Sequence, residues 1–176
     1  MTTLINGTTG VSLVQPGVVT QADFATNVAG NGPAFSVYCS IAQSIPSSTP
    51  TKVQLDTKEF DPNSSFDASI INTNYWFKPV TAGYYQINWQ VCYSIATASV
   101  RMYATLYKNG SPYKNGSEPT SSGSNNLAAS GSSLVYMNGS TDYLQLYAFA
   151  AAASTLTTAG LISDSNYMNG FLARSA

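Results

Sequence analysis

The chain has 176 residues, room for one β-sandwich with a core plus a short appendage but hardly for two full domains. Only 9% of them are charged, against roughly 25% in an average soluble protein. Seven Lys and Arg against eight Asp and Glu leave a net charge of −1, which excludes the basic stripe that counterion release from nucleic acid requires.

Residues 1–32 carry Gly7, Gly10, Gly17, Gly30 and Gly32 with Pro16 and only scattered apolar residues, the pattern of a tail without a core of its own. A short helical turn is compatible with residues 20–25, where Thr20 can cap and Asp23 follows three positions on. Residues 1–7 lack the basic start and apolar run of a signal peptide. The longest apolar stretch, residues 147–153, falls far short of the roughly 20 residues that cross a bilayer. The expectation is a protein made and assembled in the cytoplasm without membrane insertion.

From Ala34 onward, short segments rich in aromatic and β-branched residues are separated by Gly, Asn, Pro and Ser clusters, which are strand and turn signals. Phe35, Val37 and Cys39 alternate with Ser36, Tyr38 and Ser40. The cleanest alternation runs over residues 84–93: Tyr85, Ile87, Trp89, Val91 and Tyr93 share one face, predicted to be core, and Tyr84, Gln86, Asn88, Gln90 and Cys92 share the other. Met102, Ala104 and Leu106 form the inner face of a further strand, leaving Tyr103 and Tyr107 outside as candidate contact residues with Tyr113 in the turn region beyond. Asn109-Gly110, Asn115-Gly116 and Asn138-Gly139 each carry the tight-hairpin signal. Residues 119–126 read as a polar loop, Leu144 and Leu146 as inward residues of another strand, and residues 167–173 as the last strand, with Phe171 assigned to the core. About eight or nine strands without a long helix predict an all-β, antiparallel two-sheet sandwich. Its predicted core is Phe35, Phe77, Tyr85, Ile87, Trp89, Leu106, Leu144, Leu146 and Phe171.

The segment Phe77-Lys78-Pro79-Val80-Thr81-Ala82-Gly83-Tyr84-Tyr85-Gln86-Ile87-Asn88-Trp89 resembles the signature of C1q/TNF-like domains: an aromatic, a Pro, then Gly-x-Tyr-x-aromatic-x-aromatic. Ile87 and Trp89 depart from the family's usual aromatics while keeping size and apolarity. Four more pieces follow the family's order: Pro33-Ala34-Phe35-Ser36-Val37-Tyr38, Leu106-Tyr107-Lys108-Asn109-Gly110, Leu134-Val135-Tyr136 with Asp142-Tyr143-Leu144-Gln145-Leu146, and Met168-Asn169-Gly170-Phe171-Leu172. Upstream of Phe77, residues 60–74 do not reproduce the family's spacing, so no role is carried over to that loop. The resemblance implies a jelly-roll head over residues 33–176, and a homotrimer in which Tyr84, Gln86, Asn88 and Gln90 lie near the subunit interface. The alternative is that this polar face meets water. The low-charge, Gly-rich segment 6–19 is similar to the N-terminal tails of bacteriophage fibre proteins that carry such heads. That likeness implies a virion protein whose tail, residues 1–32, attaches to another virion protein while the head binds a host surface glycan or protein. A capsid or tail decoration with a purely stabilising role is the competing expectation.

Chemistry finds little footing. The chain has no histidine, so Ser-His-Asp and Cys-His nucleophile pairs and His-containing zinc sites are excluded. Asp56, Glu59, Asp61 and Asp67 cluster in a loop-rich stretch, but nothing there dictates the fixed carboxylate separation of a glycosidase. No enzyme activity and no cofactor are therefore expected. The same acids could hold Ca²⁺ through oxygen ligands, but they form no EF-hand pattern, so no metal is assigned. Cys39 and Cys92 can pair as one disulfide or remain thiols; without a secretion signal they are expected to stay reduced.

Overall fold

The computed structural model describes residues 32–96, 98–152, 154–159 and 165–176. The expected tail up to residue 31, with its helical turn, lies outside the described residues. Among the described residues there is no helix. The first seven strands are β1 (Ala34–Tyr38), β2 (Ser44–Ile45), β3 (Thr51–Lys52), β4 (Thr57–Phe60), β5 (Phe66–Asp67), β6 (Trp76–Phe77) and β7 (Ala82–Ile95). Then come β8 (Arg101–Lys108), β9 (Ser111–Asn115), β10 (Asn125–Asn138), β11 (Leu144–Ala151), β12 (Leu156–Thr158) and β13 (Tyr167–Ser175). The strands beyond the expected eight or nine are the short β2, β3, β5, β6 and β12, each two or three residues long.

All pairings are antiparallel, and the strands form two sheets. In the first, β7 is flanked along its whole length by β10 on one side. On its other side lie β13 and, further along, β12; β1 and β4 extend the sheet beyond β13, and β2 extends it beyond β12. The second sheet has the order β5-β6-β11-β8-β9, with β3 also on β11. This is the all-β antiparallel sandwich that the alternating pattern predicts.

The strict period of two in β7 decides what the sheets enclose. Tyr85, Ile87, Trp89, Val91 and Tyr93 are buried, while their neighbours are half-buried or exposed. Two of these side chains also fasten the sheets together. Trp89 Nε1 donates to the Ala104 carbonyl of β8 at 3.2 Å. The Tyr93 hydroxyl donates to the Tyr103 carbonyl at 2.7 Å and accepts from the Phe149 amide at 3.2 Å. Phe35 stacks on Phe77 at 4.3 Å between ring centres, and Phe77 meets Tyr85 edge-on at 5.2 Å, the geometries aromatic pairs favour.

Several sequence expectations change. Phe171 is not core: it is half exposed, because Met168, Gly170 and Leu172 are the inward residues of β13. The Phe35 ring comes so close to Gly170 that a Cβ there would stand 3.1 Å from it, so a small residue faces the core and the large one faces out. Asn109-Gly110 makes a hairpin between β8 and β9, with φ of 54° and 79°, as a two-residue primed turn needs. Asn115-Gly116 and Asn138-Gly139 do not close hairpins, since β10 pairs with β7 and β11 pairs with β8; both are crossings between sheets. The polar stretch 119–126 gives up Asn125 and Asn126 to β10.

Candidate functional site

β7 turns Tyr84, Gln86, Asn88 and Gln90 to the outer face of the first sheet, the place the sequence gives them. Register sets their neighbours: Tyr84 lies opposite Tyr136, Gln86 between Leu134 and Phe171, and Asn88 between Ser132 and Asn169. A polar line crosses the three strands. Gln86 Nε2 donates to Ser132 Oγ at 2.7 Å, Ser132 Oγ donates to Asn88 Oδ1 at 2.8 Å, and Asn88 Nδ2 donates to Asn169 Oδ1 at 3.0 Å. Beside it Tyr84 (40%), Leu134 (54%), Tyr136 (43%) and Phe171 (50%) remain exposed, with the Tyr84 and Tyr136 rings 5.4 Å apart. Gln90 instead folds back, donating to the Ser165 carbonyl at 3.2 Å. Leu134, Tyr136 and Phe171 were missed because strand pairing, which brings them beside Gln86 and Tyr84, is not written in local sequence. Their outward direction follows from alternation with buried Val135, Met137 and Leu172.

The outer face of the second sheet carries a different arrangement. Tyr103 stacks on Phe149 (4.6 Å, 13°) and Tyr107 on Tyr147 (3.8 Å, 20°). The two stacks line one groove of about 240 Å³, which Pro50, Pro112, Thr105 and Asn115 also border. The Thr105 hydroxyl donates to Asn115 Oδ1 at 2.8 Å, which leaves the amide NH₂ as the donating end of Asn115. Burial pushes the Tyr107 phenol up, with Tyr103 adding to it, and burial with Tyr107 and Tyr143 does the same for Tyr147. Both hydroxyls therefore stay neutral hydrogen-bonding groups. Of the three tyrosines singled out in the sequence, Tyr103 and Tyr107 meet in this groove. Tyr113 does not: it is exposed on β9, with the Lys114 and Lys108 ammonium groups 5.3 and 6.0 Å from its ring centre. Tyr147 and Phe149 carried a usable signal, since they alternate with the inward Leu144, Leu146 and Ala148.

The carboxylates of residues 56–67 are each engaged separately. Asp56 accepts from the Ser40 amide and hydroxyl at 2.7 and 2.8 Å, and Glu59 accepts from Ser36 Oγ at 2.6 Å. Asp61 accepts from the Ser65 and Phe66 amides and pairs with Lys58 at 2.7 Å, while Asp67 accepts from the Ser69 amide and Asn74 Nδ2. Cys39 and Cys92 are not joined in a disulfide. Cys39 is buried inward, whereas Cys92 lies on the outward-facing set of β7. Burial, reinforced by Asp56, pushes the Cys39 thiol up to about 12, which keeps it protonated and unreactive.

No family model matches the chain, and no curated protein is similar to it in sequence. Solved structures do match. Murine APRIL superposes with a TM-score of 0.57 at 10% identity, covering 80% of this chain and 98% of APRIL. Eiger TNF from S. frugiperda gives 0.57 at 9% identity, over 82% of this chain and 92% of that one. PRD1 vertex protein P5 gives 0.51 at 20% identity, over 82% and 97%. Identities this low speak to architecture alone, and with the strand order above they establish that this chain has the C1q/TNF-like jelly-roll fold implied by its ordered motifs.

Proposed function

We infer that the chain is a non-enzymatic bacteriophage virion fibre protein: a homotrimer attached to the particle by residues 1–32 and binding the host surface through its head. The observation that carries this reading is the outer face of the first sheet, where four large exposed side chains surround a tight polar line. In the C1q/TNF-like family that face packs around a threefold axis. Large exposed side chains beside polar groups that are already hydrogen-bonded to one another can be buried against a second copy without leaving those groups unsatisfied. The likeness to a PRD1 vertex protein and the phage-like tail support a place on a virion. Three copies would multiply the binding sites that each head carries. No helix among the described residues is long and apolar enough to cross a membrane, and the low charge argues against nucleic acid as a partner.

The test is electron microscopy of virions carrying a labelled copy, together with adhesion of the purified chain to host cells. Label at a fibre tip with saturable adhesion is expected. Label on the particle shell, no adhesion, and particles that fall apart on deletion would favour the decoration role instead.

A further inference from the structure

We propose that the groove on the outer face of the second sheet binds one ring of a neutral sugar, held against the Tyr103–Phe149 and Tyr107–Tyr147 stacks. This rests on the host-binding function above and names the class of ligand. Shape comes first. At about 240 Å³ the groove is smaller than the roughly 300–1,000 Å³ of pockets that enclose drug-sized ligands. It therefore holds one ring of a longer chain. A protein partner would need roughly 800 Å² of matching surface on each side, which a concave site of this size does not offer.

Chemistry narrows the occupant further. The lining is aromatic rings, prolines, a hydroxyl and an amide, with no charged residue among them. Of the nearby cations, Arg101 pairs with Glu118, Lys52, opposite Tyr147 on β3, donates to the Thr73 carbonyl at 2.6 Å, and Lys114, beside Asn115, lies 5.3 Å from the Tyr113 ring centre. An anionic ligand would thus be desolvated without a counter-charge, which is strongly unfavourable. A purely apolar ligand would bury the Tyr107 and Tyr147 hydroxyls and the Asn115 amide unsatisfied. A neutral sugar avoids both costs: its C–H face packs on aromatic carbon while its hydroxyls exchange hydrogen bonds with the phenols and with Asn115 Nδ2.

The experiment is retention of the full-length protein on an array of neutral hexose, deoxyhexose and N-acetylhexosamine oligosaccharides, beside sulfated and sialylated ones and a peptide control. At least one neutral glycan should be retained. Tyr107→Ala and Asn115→Asp should each weaken retention about tenfold or more, Tyr107→Phe should weaken it less, and Val80→Ser, in an exposed loop, should leave it unchanged. Asn115 is exposed, so its variant stays informative even where loss of Tyr107 harms folding. No retained neutral glycan, a preference for anionic glycans or peptide, or indifference to Asn115→Asp overturns the proposal. Host cells separate the two readings: equal adhesion by wild type and both groove variants rejects the groove but keeps attachment. Array binding without cell adhesion rejects attachment but keeps the groove.

Discussion

Trp89 reaches the opposite sheet because two glycines leave it room. A Cβ on Gly131 would stand 2.3 Å from Trp89 Cζ2, and one on Gly116 would stand 3.1 Å from its Nε1 and 2.5 Å from the Ser130 carbonyl. Trp89→Ala would empty this space and should cost about 3–5 kcal/mol. Gly131→Ala should cost about 1–3 kcal/mol by overpacking; urea unfolding followed by circular dichroism measures both. Gly83 works the same way. It lies inside β7, where a Cβ would meet the Arg174 carbonyl at 2.6 Å, so it permits close approach of β13. Asp142 contributes to stability on the acid side. Burial alone would raise its carboxyl, but Asn109, Lys108 and the Asn138 amide outweigh burial and hold it below the ordinary carboxylate range. A carboxyl depressed on folding stabilises the protein above its unfolded pKa and loses that contribution as pH falls through the folded pKa. Asp142→Asn should therefore cost about 1–3 kcal/mol near neutral pH and progressively less in acid, as thermal melts across pH would reveal.

At the scale of the strand, the proposed subunit contact lies on the outer face of β7, β10 and β13. Leu134→Asn with Phe171→Ser removes its two most exposed apolar side chains without touching the inward residues. Light scattering at micromolar concentration should find a trimer for the wild-type chain and a monomer for the double variant; a trimeric double variant would place the contact elsewhere. Much of this was legible: period-two alternation in β7 placed every inward and outward residue, and Met102, Ala104 and Leu106 behaved alike. What escaped had physical causes. Size suggested core for Phe171, yet Gly170 is the residue that turns inward, because the Gln86 carbonyl, Ile87 and the Phe35 ring take the space a side chain would fill. Asn-Gly at 115–116 and 138–139 has local chemistry close to that of 109–110, but those segments end on different sheets. The destination of a turn is fixed by tertiary closure, such as the Ser117 amide donating to the Ser130 carbonyl at 2.6 Å. Pairing decided the groove too, since Tyr107 and Tyr147 meet only through the β8–β11 register.

For the whole molecule, the Leu172 amide donates to the Pro33 carbonyl at 2.9 Å, which ties the start of the head to the last strand. A chain of residues 33–176 should accordingly unfold cooperatively, with stability within about 0.5 kcal/mol of the full length, by urea titration. The proposed trimer face and the groove lie on opposite sheets, roughly 10 Å apart as stacked sheets are, with the core between them. Assembly on one therefore leaves the other uncovered, and a threefold head would point its three grooves in diverging directions. Such a particle cross-links rather than lies flat: mixed with host cells, the purified trimer should clump them into visible aggregates. The Leu134→Asn/Phe171→Ser chain, with its groove intact, should coat single cells and block that clumping.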